Sequence, residues 1–571
     1  MPSHVSIPAG GSFIIEGSSP DQVFTPEDFS PEHTMIRDVT AQFVEKEVLP
    51  QQERMEQQDW SVTVGLLKRC GELGLLGIEA PTQYGGENLD KVCAMIVAEQ
   101  MARVGSFAVS YGGQAGIGTL PIVYFGTEAQ KQKYLPALCR AEKLAAYALS
   151  EAGSGSDALA AKASAVRSPD GRHWILNGEK MWITNAAFAD LFITFAQVDG
   201  KHFSCFAVEK DYPGVSTGAE ERKMGLKGSS TRTLILQNAE VPIDNLIGEI
   251  GKGHHVAFNI LNIGRAKLGA GAVGASKTAL NDSIPYARQR FAFGKPIAAF
   301  GAIKHKLAEM AIRTWAAEGM VYRTAGMMDR ALEAVDSSDS KGILKAMEEY
   351  AIECSILKVF GSEVMDFVVD EAVQIHGGYG YSAEYPVERY YRDARVHRIF
   401  EGTNEINRLL ITGMLLKRAA AGALPLFSSA ALDSSPAAPV EAALQGLKKT
   451  FLYTARLAVE RFGDAIKNQQ ETLMHLSDIV MDIYAIDTAT RRSAKKGSSG
   501  VHALAVEVLT NDAVHRAWFS ASQALAAFSE GAVLVDHLTH VQRLLSWTPI
   551  NTVLARQRIA DHIIDQGRYS L

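Results

Sequence analysis

A chain of 571 residues exceeds what one hydrophobic core usually serves, so several domains are expected. Hydrophobic residues at 47% and charged residues at 21% describe an ordinary globular protein, and a net charge of -7 excludes a nucleic-acid footprint. Five scattered cysteines (Cys70, Cys93, Cys139, Cys205, Cys354) lack metal or redox spacing, which excludes zinc modules and disulfide scaffolds and fits reduced thiols.

Residues 1–30 form an N-terminal arm without Lys or Arg and with Glu16, Asp21, Glu27 and Asp28, the wrong charge for a signal or transit peptide. No run is apolar enough to span a bilayer, and the expected address is the cytoplasm of a bacterium. From 31 to 148 apolar residues recur at helical spacing, Met35, Val39, Phe43 and Val44 on one face and Val64, Leu67, Leu73 and Leu76 on another. Pro81, Tyr84-Gly85-Gly86 and Gly112-Gly113 punctuate this region, which predicts an N-terminal bundle of moderate helices joined by turns.

Over 149–250 the period shortens toward two. Stretches 162–167, 173–177, 191–195, 203–208 and 233–236 read as strands, with Asp170-Gly171 as a hairpin turn, and predict a middle antiparallel β domain. The helical period returns over 251–418 in segments near 254–290, 301–334 and 341–375 and in one after Thr403, predicting a four-helix bundle. Residues 419–440, rich in Ala, Ser and Pro, read as a linker. An additional helical domain follows over 441–571, with Leu473, Ile479, Val480, Ile483 and Tyr484 on one face. The fold class is thus α+β, mostly α. The densest basic tract, Arg491-Arg492 with Lys495-Lys496, reads as a solvated helix end.

Gly269, Gly271 and Gly274 satisfy the dinucleotide pattern G-x-G-x-x-G, but helical pattern surrounds them and no strand precedes them. Close helix packing is the expected role. A different stretch carries more chemistry. Phe400-Glu401-Gly402-Thr403 sets a carboxylate in a turn between helical patterns, beside a glycine that admits a ligand and a threonine that can cap the next helix.

Five separated motifs together resemble the acyl-CoA dehydrogenase family over nearly the whole chain. They are Tyr147 to Asp157 (YALSEAGSGSD), Trp182 to Asn185 (WITN), Arg290 to Ile297 (RFAFGKPI), Gln374 to Gly380 (QIHGGYG) and the Phe400–Thr403 turn. The resemblance implies FAD as cofactor and no metal. Leu149, Ser150, Ser156, Trp182, Ile183 and Thr184 match the family's flavin segments, and Thr403, Asn404 and Glu405 complete them. Arg290, Phe293, Gln374 and Gly378 match residues that reach the cofactor from a second subunit, which implies a homodimer or a dimer of dimers. Glu401 matches the family base, which takes the α proton of an acyl-CoA while flavin N5 takes the β hydride. Ser156, Arg265, Phe400 and Gly402 match substrate contacts.

Ala152 stands where many family members have proline, while Gly301, Glu405 and the region 441–571 resemble the very-long-chain branch, where the extension replaces the second dimer of a tetramer and is associated with membrane attachment. Small residues at Gly112, Gly113 and Gly116 serve either depth for a long acyl tail or tight helix turns. The resemblance therefore implies oxidation of long-chain acyl-CoA to trans-2-enoyl-CoA, the first step of β-oxidation in fatty acid metabolism, with electrons passing to an electron-transferring flavoprotein. It also implies a possible peripheral membrane contact through 441–571. Alternatives are an acyl-CoA oxidase, or an assembly or scaffold protein of the same fold.

Overall fold

The structure is a computed structural model that describes residues 7–336, 339–428 and 438–571. Its N-terminal region holds helices α1 (Pro31–Phe43), α2 (Gln52–Glu56), α3 (Trp60–Glu72), α4 (Lys91–Met101), α5 (Gly105–Gly112), α6 (Leu120–Phe125) and α7 (Glu128–Cys139). Ser30 and Thr127 start α1 and α7 by accepting the N–H groups of His33 and Gln130. Two details depart from the sequence reading. Met35 and Val39 face solvent, because α1 turns His33, Thr40 and Phe43 inward instead. Gly112-Gly113 does not break the chain, which continues into a wide helical turn over Gly113–Gly118.

The middle region is one sheet of β1 (Ala145–Ala148), β2 (Ser164–Arg167), β3 (His173–Thr184), β4 (Leu191–Val198), β5 (His202–Glu209), β6 (Val215–Thr217), β7 (Thr231–Pro242) and β8 (Leu246–Ile247). Strand order is β6-β7-β3-β2-β4-β5-β8, with β1 also beside β4. Most pairings are antiparallel, but β1 and β2 run parallel to β4. The turn between β2 and β3 contains Gly171 at φ +73°, where glycine is at ease. β1, β6 and β8 were not legible, since two to four residues show no period.

Helices α8 (Gly253–Gln289), α9 (Gly301–Glu333), α10 (Ser340–Glu348), α11 (Ala351–His376), α12 (Val387–Ala394) and α13 (Asn404–Ala420) follow, with α8, α9, α11 and α13 packed as the bundle. The single helix expected over 341–375 is two, interrupted at Glu349-Tyr350. The N-terminal arm docks at this break: Gly10 N–H donates to Glu349 Oε1 at 2.8 Å, Gly11 N–H to Glu353 Oε1 at 2.7 Å, and Tyr350 OH to Pro8 O at 3.1 Å. A Cβ on Gly10 would lie 1.9 Å from Glu349 O, so only glycine permits the approach. Glycine also works as expected in α8. A Cβ on Gly274 would lie 1.9 Å from Glu99 O of α4, and one on Gly269 would lie 3.0 Å from Leu357 Cβ of α11. The G-x-G-x-x-G pattern is therefore a helix-packing stripe.

Of the linker expected over 419–440, residues 429–437 lie outside the described residues, while α13 runs on to Ala420 and the next helix begins at Pro439. Beyond it stand α14 (Pro439–Phe462), α15 (Gln470–Lys495), α16 (Gly500–Ala526), α17 (Gly531–Leu544) and α18 (Thr552–Gln566). Here α15 packs on α9 and α13 from one side and on α14 and α16 from the other, burying Leu473, Ile479, Val480, Ile483 and Tyr484. Among the described residues, no helix is long and apolar enough to cross a membrane.

The basic tract at the end of α15 is not solvated as expected. Arg492 is buried and pairs with Glu318 of α9 at 2.8 Å and Glu27 of the arm at 3.1 Å, while Arg491 pairs with Glu441 and Asp487. Lys495 meets Asp28 and donates to Val23 O at 2.7 Å. Arm, bundle and extension are thus joined by charges that a single-chain pattern places on the surface.

Candidate active site

Between α4, the α5 segment and α8 opens a cavity of about 190 Å³, and Glu401 stands in its wall. Helix α8 contributes Ile260, Ile263, Gly264, Lys267, Leu268 and Gly271, and α4 contributes Ala98, Met101 and Ala102. Gly112, Gly113 and Gly116 all line it, and Cβ atoms on Gly112 and Gly116 would meet nothing within 4 Å. The lining is mostly apolar, which suits a hydrocarbon ligand.

Glu401 occupies a left-handed conformation at φ +57°, followed by Gly402 at φ +80°. For a residue with a side chain that conformation costs about 1–2 kcal/mol, so neighbours must hold it. Arg265 of α8 donates Nε–H to Glu401 O at 3.1 Å, and Asn407 Nδ2 donates to the carbonyls of Glu401, Gly402 and Thr403. Thr403 Oγ1 accepts Ile406 N–H at 3.3 Å and starts α13, as the sequence suggested. None of the described hydrogen bonds uses the Glu401 N–H.

The Glu401 carboxyl has a buried Oε2 with no hydrogen-bond partner, 3.1 Å from where a Cβ on Gly264 would stand. Burial pushes its pKa up to about 7 against the pull of Arg265 and Lys358. Arg265 is itself buried, bonded to Asn262 Oδ1 at 3.0 Å, and burial lowers its pKa. Lys358 of α11 is fully buried and donates to Asn404 Oδ1 at 2.6 Å; burial lowers its ammonium to about 8. Phe400 and His397 also line the cavity with their rings 4.9 Å apart, and burial drops the His397 pKa to about 4, so the ring is neutral at pH 7.

The other expected site residues divide into two groups. Trp182 leaves β3 at a bulge with φ +57° and is 58% exposed, while the adjoining Ile183 is buried and Thr184 lines the cavity. An exposed tryptophan on a strained bulge is a poor core residue and a good face for a flat ring. Beside it run Leu149, whose carbonyl accepts Lys180 Nζ at 3.2 Å, and Ser150, whose carbonyl accepts Met181 N–H at 2.9 Å. Ser156 is exposed, and the glycines at 153 and 155 have open space around them. Asn404 is committed inside the bundle to Lys358, Ser362 and Glu363, and Glu405 is exposed.

Arg290, Phe293, Gln374 and Gly378 form the second group, all exposed. The Arg290 guanidinium lies 5.4 Å over the Tyr379 ring, and Phe293 at the tip of a short hairpin is 95% exposed. From Gly264, which touches Glu401, to Arg290 is 26 residues of α8 and its cap, roughly 39 Å at about 1.5 Å each. Arg290 therefore stands far along α8 from the Glu401 turn. Sequence reasoning missed Lys358, His397 and Asn407. Only Asn407, four residues after the Thr403 cap, carried a signal, because an amide there faces back along the helix to the turn.

Fold and site define a helix–sheet–helix protein with a carboxylate held over a deep apolar cavity. Family profiles described as acyl-CoA dehydrogenase N-terminal, middle and C-terminal domains match residues 30–142, 146–239 and 251–416, and a further C-terminal domain profile matches 446–543. The chain belongs to the acyl-CoA dehydrogenase family. A probable acyl-CoA dehydrogenase of Bacillus subtilis (strain 168) is 48% identical over 98% of both chains. The mitochondrial very long-chain specific acyl-CoA dehydrogenase of Macaca fascicularis is 34% identical over 76% of this chain and 70% of its own. Among solved structures, an acyl-CoA dehydrogenase complexed with FAD from Bacillus anthracis superposes with a TM-score of 0.96 at 49% identity, covering 99% of this chain and 100% of that one. Butyryl-CoA dehydrogenase of Megasphaera elsdenii gives 0.62 at 35% identity over 68% of this chain and 99% of its own.

Proposed function

We infer that the protein is an FAD-dependent dehydrogenase of long-chain acyl-CoA thioesters with Glu401 as its base. The observation that carries this is the unpartnered, buried Glu401 carboxyl beside a deep apolar cavity. The residues fit the cofactor: the exposed Trp182 face, the cavity hydroxyl of Thr184 and the open Ser/Gly loop after Ser150 suit a flat polar ring and its tail. FAD, when bound, supplies the acceptor for the β hydride. Glu401 accepts the α proton, and its free N–H can donate to the thioester oxygen as negative charge develops there. A base with a pKa near 7 is matched to work at neutral pH. Closure of the cavity over an acyl chain would raise it further, toward the polarised substrate.

The bare backbone at Gly112 and Gly116 supports a long acyl chain, and likeness to a very long-chain enzyme agrees with it. The distance along α8 supports a homodimer in which Arg290, Phe293, Gln374 and Gly378 complete the cofactor site of a second copy. An electron-transferring flavoprotein is the proposed acceptor, by analogy with the family. Five free, buried cysteines agree with a reducing compartment such as a bacterial cytoplasm. The buried face of α15 is not available to a membrane. A peripheral contact would instead use the exposed Val533 and Val535 of α17 and Val553 and Leu554 of α18.

Anaerobic titration of the yellow protein with acyl-CoAs from butyryl to stearoyl tests the reading. Bleaching of flavin absorbance is expected, fastest with the longest chains. Below pH 7 kcat/KM should fall about tenfold per pH unit, because protonation removes the base as pH drops through its pKa. A colourless protein, or flavin that no acyl-CoA reduces, overturns the reading. Rapid reoxidation by air with substrate present would make it an oxidase.

A further inference from the structure

Asn407 lies fully buried beneath the Glu401 turn, in the first turn of α13. Its Nδ2 donates to Gly402 O at 2.9 Å, Thr403 O at 3.1 Å and Glu401 O at 3.4 Å. Thr403 O already accepts the Asn407 N–H at 3.0 Å, as helix geometry requires. The other two carbonyls precede the helix and belong to the two residues with positive φ. A flipped amide would turn Oδ1 toward three oxygens, so the contacts fix its orientation. Among the described residues, only Arg265 otherwise donates a side-chain hydrogen bond to the same backbone, at Glu401 O.

We propose that Asn407 is a positioning residue that keeps Glu401 in its left-handed conformation and so aims the carboxylate into the cavity. The proposal rests on Glu401 being the base and deepens that reading. An unaided glutamate relaxes to ordinary helical or extended backbone, which swings Cβ and the carboxyl away from its present line. Arg265 retains the turn when Asn407 is lost, but one donor on one carbonyl does not fix two left-handed residues. Loss of Asn407 therefore spreads Glu401 over several orientations without removing it. The consequence is a split between rate and affinity, since bound acyl-CoA meets the same cavity wall.

The test is Asn407→Leu, which keeps the volume and removes the donors. Flavin-loaded protein is mixed anaerobically with palmitoyl-CoA, and limiting reduction rate and substrate affinity are measured across pH. Flavin content and affinity are expected within about threefold of the parent, and the limiting rate about thirtyfold lower at every pH. Asn407→Ala is the second variant, removing the same donors without adding bulk, and the same split is expected. It keeps the question open to refutation if Asn407→Leu does not fold. Glu401→Gln is run alongside. If it reduces flavin at the parent rate, the base reading falls. If it is inert while Asn407→Leu and Asn407→Ala match the parent, or lose rate only as they lose flavin or substrate, the positioning role alone falls.

Discussion

Glu401→Gln is expected to purify yellow, bind acyl-CoA, and reduce its flavin roughly a thousandfold or more slowly than the parent. An amide of the same shape keeps every backbone contact of the turn, because Arg265 and Asn407 hold main-chain carbonyls and not the carboxyl. What it loses is a proton acceptor. Neither neighbour can substitute: Arg265 has no free base, and His397 is neutral but so weakly basic at about pKa 4 that it would hold an α proton poorly. Burial of the carboxylate outweighs its attraction to Arg265 and Lys358, so a neutral amide should not be less stable than the parent. Stopped-flow reduction of the flavin by palmitoyl-CoA reads the rate directly, and fast bleaching in the variant would refute Glu401 as base.

Arg492→Met is expected to have the largest effect on stability, about 3–5 kcal/mol. The guanidinium sits 3% exposed among Glu318, Glu27 and the carbonyl of Trp315, to which it donates at 2.8 Å. Its removal takes the nearer cation from half-buried Glu27 and one of two cations from buried Glu318. Glu318 would keep Lys277 and the Tyr569 hydroxyl, and Glu27 only Lys496 at 3.6 Å. Thermal unfolding and proteolysis of the arm would register the loss. Arg456→Met supplies the contrast: its pair with Glu460 spans 3.6 Å with both side chains more than half exposed, and less than about 1 kcal/mol is expected. Equal effects from the two variants would show that the buried pair is not what joins arm, bundle and extension.

The gross architecture was legible because it is written in periodicity. Long segments such as α8, α9 and α13 bury whole stripes, β3 alternates, and β4 and β5 are short continuous apolar runs buried on both faces. What escaped depends on contacts between distant parts of the chain. The break at Glu349-Tyr350 is made by an arm more than three hundred residues earlier, and nothing local announces it. Arg492 and Lys358 were misread or unseen because a cation in a helix looks the same on a surface as beside a buried partner. At the site, the Glu401 turn was visible as a glycine and a cap beside an acid. The geometry that makes the acid useful was not, since a positive φ on glutamate and the amide beneath it are properties of packing.

In the proposed homodimer, the length of α8 would leave each polypeptide with two incomplete halves of a cofactor pocket, one at either end of the bundle. If neighbouring copies exchange those halves, a chain crippled at Glu401 and another crippled at Arg290, each inert alone, would assemble into a mixed pair holding one sound pocket and one doubly damaged one. Dilution would then silence the protein before it unfolds, because catalytic competence would belong to the pair while folding belongs to the chain.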